Sequence, residues 1–291
     1  MKRYCLYLFI LIGISCSAEL KAQKNGTVYK GNDPAVRYTG RTLVSPDGSV
    51  AFDWVGTYLE TRFTGGKLSV KVSETGTSYY NVFVDGKLHK VVKVCGTDTL
   101  IHLVSGIDKR IHSLKIQKRS EGEFGKTTVH QFVLSGSGRL AEEPAVRTRH
   151  IEFIGNSLTC GYGTDGKHRD EPFLVETENC NLTFASMVAR YYDADYTLIA
   201  HSGRGAARNY GDSVRVSKVT MKDRMLNTFD EDLTHKWNFK EYRPDLVVIN
   251  LGSNDFSTEP HPYKSEFTKA YKQILAQLRE HCLLYTSPSP R

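Results

Sequence analysis

The 291 residues carry 39 Lys and Arg against 32 Asp and Glu, a formal charge of +7. The basic residues are scattered, with neither a basic stripe nor interleaved stacking aromatics, so the charge describes a solvated, mildly basic surface and argues against nucleic-acid binding. No stretch beyond the first two dozen residues is apolar enough to cross a membrane.

The opening, "MKRYCLYLFILIGISCSAELKAQ", has the three parts of a secretory signal. Lys2 and Arg3 form the charged region, Tyr4 to Ile14 the apolar core, and Leu20-Lys21-Ala22 a cleavage site before Gln23. The core is shorter than the ~20 residues of a membrane span. Residues 1–22 are therefore expected to be removed, leaving a soluble protein that is secreted or periplasmic, in an oxidising compartment. Cleavage takes away Lys2, Arg3, Lys21 and Glu19, which brings the charge from +7 to +5. Cys16, after Gly13-Ile14-Ser15, offers lipid anchoring as the alternative. Of the other cysteines, Cys95 stands alone. Cys160 and Cys180 flank one loop, where either a disulfide or two buried free thiols fits. No cysteine or histidine spacing matches a zinc site.

From about residue 26 to 140 the chain alternates with period two. Val50, Phe52 and Trp54 share one face, Leu68, Val70 and Val72 another, and Asp85-Gly86 separates two alternating runs as a hairpin turn. Many short strands between turn residues predict an antiparallel β-sandwich, jelly-roll-like, that packs against the second half of the chain and helps shape its cleft. "SGSGRLAEEPAVRTRH" is a polar connector.

Beyond it the period changes, marking a second domain over residues 148–281. Strands are predicted at 151–154, at "YTLIA" (196–200) and at "DLVVINL" (245–251), the last apolar enough to be buried on both faces. A helix over "NLTFASMVARYYDADY" would bury Leu182, Ala185, Val188 and Tyr192. A final helix would bury Phe267, Tyr271, Ile274 and Leu278. Strands alternating with helices imply a parallel sheet, whose ligands bind at the carboxyl ends of its strands.

Three glycine-containing stretches fall at those ends: "GNSLTCGYG" with Ser157, "HSGRGAARNYG" with Gly203, and "NLGSNDFS" with Asn254 and Asp255. Acyl transfer needs a nucleophile and preorganised donors for the developing oxyanion. Ser157 at a strand-to-helix turn supplies a hydroxyl and an N–H, Gly203 an unobstructed N–H, and Asn254 a side-chain amide. The pattern differs from the Gly-x-Ser-x-Gly elbow of α/β-hydrolases, because Leu158 and Thr159 follow the serine.

The three stretches resemble blocks I, II and III of the SGNH (GDSL-type) hydrolases, and with the preceding sandwich the chain resembles carbohydrate esterase family 2, acetyl esterases acting on xylan and related plant polysaccharides. The resemblance implies a secreted serine esterase that needs no cofactor or metal. Ser157 would be the nucleophile, with Ser157 N–H, Gly203 N–H and the Asn254 side chain as oxyanion hole, and Asp255 would hold the block III turn. Block I departs from the family's Gly-Asp-Ser, since Asn156 precedes Ser157. The family's catalytic His lies in an Asp-x-x-His motif after block III. Neither His261, in a turn, nor His281, at a solvent-facing helix end, has an Asp three residues earlier. "DLTH" (Asp232 to His235) has that spelling but lies between blocks II and III, and the seven histidines from His89 to His201 precede block III. The general base is thus expected to be absent from this chain. The ending "CLLYTSPSPR", residues 282–291, resembles an in-frame translation of a transposon-end sequencing adapter, so the fragment is expected to be inactive and to continue naturally with the missing motif. The alternative function is a non-catalytic glycan-binding protein of the same fold. A lipase is disfavoured by the sandwich half.

Overall fold

The computed structural model describes residues 26–142 and 145–282. The expected signal segment with Cys16, and the tail beyond Cys282, lie outside the described residues. The first domain has ten strands: β1 (Gly26–Lys30), β2 (Val36–Thr39), β3 (Leu43–Val44), β4 (Val50–Phe52), β5 (Tyr58–Thr64), β6 (Lys67–Val84), β7 (Lys87–Val104), β8 (Ile111–Lys118), β9 (Thr127–Ser135) and β10 (Arg139–Leu140). They form one antiparallel sheet in the order β10-β5-β8-β6-β9-β4-β3, with β1 on β9, β2 on β5 and β7 on β6.

The predicted hairpin forms at Asp85-Gly86, whose φ angles of 50° and 75° suit a two-residue turn between twisted strands. β6 pairs with β9 from Lys67 to Glu74 and with β8 from Tyr80 to Val84, with register shifts between. A strand that changes partner across bulges bends. The sheet therefore curls around its own core, in which Leu68, Val70, Val72, Val50 and Phe52 are buried with Phe63 and Phe132. The expected antiparallel strands form one continuous curled sheet, because alternation reports which face is buried and not how the strands are divided. Trp54 departs from its expected face: β4 ends at Phe52, and Trp54 is buried in the second domain's core with Ile154, Ile199 and Met225.

The second domain contains a parallel sheet, order β12-β11-β13, built from β11 (His150–Gly155), β12 (Asp195–Ala200) and β13 (Leu246–Ile249). Around it lie α1 (Ser157–Cys160), α2 (Phe184–Tyr191), α3 (Met221–Arg224) and α4 (Lys264–Cys282). α4 buries Ile274 and Leu278 and half-buries Phe267 and Tyr271, as the spacing predicts. In α2 the buried residues are Ala185, Ser186 and Ala189, whereas Leu182, Val188 and Tyr192 are exposed. Small side chains let the helix approach the sheet closely, and that contact overrides the larger apolar stripe. β13 is half-exposed at one sheet edge rather than buried on both faces. β12 occupies the other edge yet is buried throughout.

The first domain is what buries β12. Tyr58 Oη donates to Asp195 Oδ1 at 2.7 Å, Gln117 Nε2 to the Tyr196 hydroxyl at 2.6 Å, and Arg37 pairs with Asp195 at 2.7 Å. Gly56, with φ of 76°, packs so closely on Leu198 that a Cβ there would lie 2.6 Å from its Cδ1. Arg41 reaches across to the carbonyls of Met225 and Asn227 at 2.6 and 2.8 Å. The two domains thus share buried, charged partners.

Candidate active site

The register places Ile154, Ile199 and Ile249 level across the sheet, so the three glycine-containing stretches leave its carboxyl edge side by side. β11 ends at Gly155, where a Cβ would sit 2.0 Å from Thr159 Oγ1. Asn156 then caps α1: its Oδ1 accepts from Leu158 N–H at 3.3 Å and its Nδ2 donates to Ser253 Oγ at 2.9 Å. Because the cap is Asn156, the half-buried Ser157 hydroxyl is left unengaged among the described residues. The Asn156–Ser253 bond also ties block I to block III. An aspartate could cap the same turn with Ser253 as donor, so the departure from Gly-Asp-Ser reverses one hydrogen bond.

Block II leaves β12 through His201. Gly203 has a φ of 73°, a conformation that favours glycine, and its nearest contact for an added Cβ is 4.0 Å away at Tyr210. The N–H groups of Ser157 and Gly203 are without a partner among the described residues. Ser202 donates both its N–H and its hydroxyl to the buried carboxylate of Glu121, which comes from the first domain.

In block III, Asn254 is largely buried and its Nδ2 donates one hydrogen to Arg204 O at 2.8 Å, leaving the second for a ligand. Asp255, expected to hold its own block III turn, instead holds block II: its fully buried carboxylate accepts from the N–H groups of Ala206, Ala207 and Arg208 at 3.0, 2.7 and 2.9 Å. Ser157, Gly203 and Asn254 are thus brought to one edge by bonds running between all three blocks.

His201 reads in the sequence as an ordinary strand or loop residue, but it is buried in a charged network. Its Nδ1 lies 2.7 Å from Asp230 Oδ2 and 3.4 Å from Glu231, and its Nε2 is 3.6 Å from Glu123. Burial by itself lowers the imidazolium pKa. The charge and hydrogen bond of Asp230, with the charge of Glu121, outweigh burial, and the net shift is upward. Asp53, which accepts from Asp230 N–H at 2.8 Å, is pushed up to about 7 by burial and then by the Asp230 charge. His201, Asp230 and Glu231 are close enough to hold a cation, but Arg224 already pairs with both carboxylates at 2.9 and 2.8 Å and supplies that charge. A raised imidazolium pKa stabilises the fold fully below the unfolded value of about 6.5, and the contribution is lost as pH rises through the folded value. Urea titrations should therefore show the parent chain more stable than His201→Gln at pH 6, with the gap closing as pH is raised. A gap that widens with pH would contradict this.

None of the described histidines hydrogen-bonds to Ser157. His235 and Asp232 do form the hydrogen bond their spelling suggests, at 2.6 Å, in an exposed turn. His261 pairs with Glu259 at 3.3 Å. His281 does not point freely to solvent; it stacks on Phe239 with centroids 4.3 Å apart. Cys160 and Cys180 are both buried free thiols and Cys95 is exposed. Burial, then the Glu178 charge, pushes Cys180 up to about 12, so it is an inert packing residue rather than a nucleophile.

A family model described as carbohydrate esterase 2 N-terminal matches residues 38–144, and one described as GDSL-like lipase/acylhydrolase matches residues 153–291. The chain is 34% identical over 250 residues to the cellulase/esterase CelE of Acetivibrio thermocellus, covering 86% of this chain and 30% of that protein. It is 33% identical over 226 residues to an acetylxylan esterase/glucomannan deacetylase of Cellvibrio japonicus, covering 75% of this chain and 61% of that one. The chain thus spans less than two thirds of the length of both relatives. Among solved structures it resembles a family two carbohydrate esterase from Clostridium thermocellum in complex with cellohexaose, with a TM-score of 0.80, 34% identity, and 84% of this chain and 74% of that one covered.

Proposed function

The chain belongs to carbohydrate esterase family 2, and on that premise we propose that it is a serine esterase removing acetyl groups from plant-type polysaccharides such as xylan. One observation carries the reading: an unengaged serine hydroxyl, two open backbone N–H groups and a half-used amide all lie on stretches leaving the carboxyl edge of one parallel sheet. Ser157 Oγ attacks the acetyl carbonyl while its proton passes to a general base. The oxyanion that develops accepts from Ser157 N–H, Gly203 N–H and Asn254 Nδ2, donors that cost no reorganisation because they are already fixed. Collapse breaks the ester C–O bond; the leaving sugar oxygen takes the proton back from the base to become a hydroxyl, and Ser157 is left acetylated. Water, deprotonated by the same base, then releases acetate and free serine.

We infer that the base is a histidine, as the family resemblance implies; among the described residues no histidine hydrogen-bonds to Ser157. With that histidine in place the protein is base-complete. Residues 1–22 support a site of action outside the cytoplasm, secreted or periplasmic. We read the two-part pairing of β6, with β9 and then β8, as the mark of a jelly-roll-like sandwich. The substrate class is supported by the relatives named as acetylxylan esterases and by the cellohexaose held by the solved relative. Acetate release from acetylated xylan that depends on Ser157 tests the proposal. Binding of the polysaccharide with no acetate released would favour a glycan-binding protein instead.

A further inference from the structure

We propose that Glu121, a residue of the first domain, is a positioning residue for the oxyanion hole, locking the block II loop against the nucleophile helix and so fixing the separation of the Gly203 and Ser157 N–H groups. This rests on the esterase reading of the site.

Glu121 is fully buried in the turn after β8, yet its carboxylate is used by the second domain. One oxygen accepts from the Ser202 N–H and the other from the Ser202 hydroxyl, and Ser202 directly precedes Gly203. On its other side the carboxylate lies within 4.8 Å of the Sγ of Cys160, the last residue of α1, and of the Glu178 carboxyl. A single buried group therefore meets both elements whose N–H groups face the reacting carbonyl. The turn carrying it is itself pinned to the second domain. Glu121 N–H donates to Glu178 Oε2 at 2.9 Å, and Arg119 Nε donates to the Glu178 carbonyl at 2.7 Å. Burial, followed by the neighbouring charge of Glu121, pushes Glu178 well above the ordinary carboxylate range, which spares the pocket a second negative charge.

Such a device matters because oxyanion donors act only when held about 2.7–3.1 Å from where the charge develops. Gly203, at φ 73°, has no side chain to fix its turn, and the two bonds from the buried Glu121 carboxylate hold the residue directly before it. Because the oxyanion exists only after attack, the damage from losing Glu121 falls on kcat and leaves KM in place.

The test uses the base-complete protein and acetylated xylan, with Glu121→Gln and Ser202→Ala, singly and together. Gln keeps the shape but offers one acceptor where Glu offers two, so the Ser202 hydroxyl contact survives only by reversing and without the carboxylate charge that strengthens it. The expected result for Glu121→Gln is a fall of about 10–100-fold in kcat with KM within about two-fold. Ser202→Ala, which removes only the hydroxyl bond, lowers kcat less, and the double variant is no slower than Glu121→Gln alone, since both act through one contact. A tetrahedral boronic acid should lose affinity in step with kcat, while a deacetylated xylo-oligosaccharide keeps its own. Full kcat in Glu121→Gln, or a boronic acid affinity that stays unchanged, overturns the proposal. Should Glu121→Gln fail to fold, Ser202→Ala decides alone by the same two readouts. Ser157→Ala is the control: if it stays active the esterase reading fails, whereas an inactive Ser157→Ala beside a fully active Glu121→Gln removes this inference only.

Discussion

Ser157→Ala in the base-complete protein lowers the rate of acetate release from acetylated xylan by about four to six orders of magnitude, to the level left by binding and the oxyanion donors alone. The reason is chemical rather than structural. Asn156, not Ser157, caps α1, and the Ser157 hydroxyl has no partner among the described residues, so its removal breaks no bond that holds the fold. Thermal unfolding of Ser157→Ala should match the parent chain, and polysaccharide binding should survive. A variant that retains activity would move the nucleophile elsewhere. One that loses activity together with its fold would mean that the hydroxyl is structural.

Asp255→Ala destabilises the chain by about 3–6 kcal/mol, a large share of the 5–15 kcal/mol that typically holds a domain together. Three buried N–H groups, of Ala206, Ala207 and Arg208, share the two oxygens of this carboxylate. Each costs about 1–3 kcal/mol when left without an acceptor, and only partial relaxation is open to a loop with no room to turn toward water. Asp255→Asn should fall in between. Its single oxygen can still serve Ala207 and Arg208, but its NH2 would face the Ala206 N–H, donor against donor. Denaturant midpoints in the order parent, Asn, Ala check the argument. Equal midpoints would mean that the block II loop is held by Arg208 and its contacts with Thr258 and Glu259 instead.

Local signals made much of this legible in the sequence. The Asp85-Gly86 hairpin, the strands at the three block boundaries and the buried face of α4 follow from turn chemistry and periodicity, because each depends on neighbours a few residues away. That Ser157, Gly203 and Asn254 leave the same sheet edge was legible because strand-end chemistry and motif spacing coincide. What tertiary contact decides was not. The face of α2 went to Ala185 and Ala189 because close approach to the sheet outweighs side-chain size. β12 became a buried edge because the first domain covers it. Asp255 turned toward block II because three N–H groups there needed an acceptor. Glu121 and His201 carried no signal at all: Glu121 meets its partner Ser202 across 81 residues and His201 meets Asp230 across 29, and neither spacing belongs to a helix, strand or turn.

In the proposed mechanism Ser157 carries the acetyl group in transit. The most direct measurement is acid quenching of the base-complete protein during steady-state turnover of 4-nitrophenyl acetate, followed by peptide mass spectrometry. The expected result is one acetyl mass on the peptide containing Ser157, absent from Ser157→Ala. An acetyl mass on another peptide, or acetate release with no acetylated peptide under conditions where deacylation is slow, would contradict it.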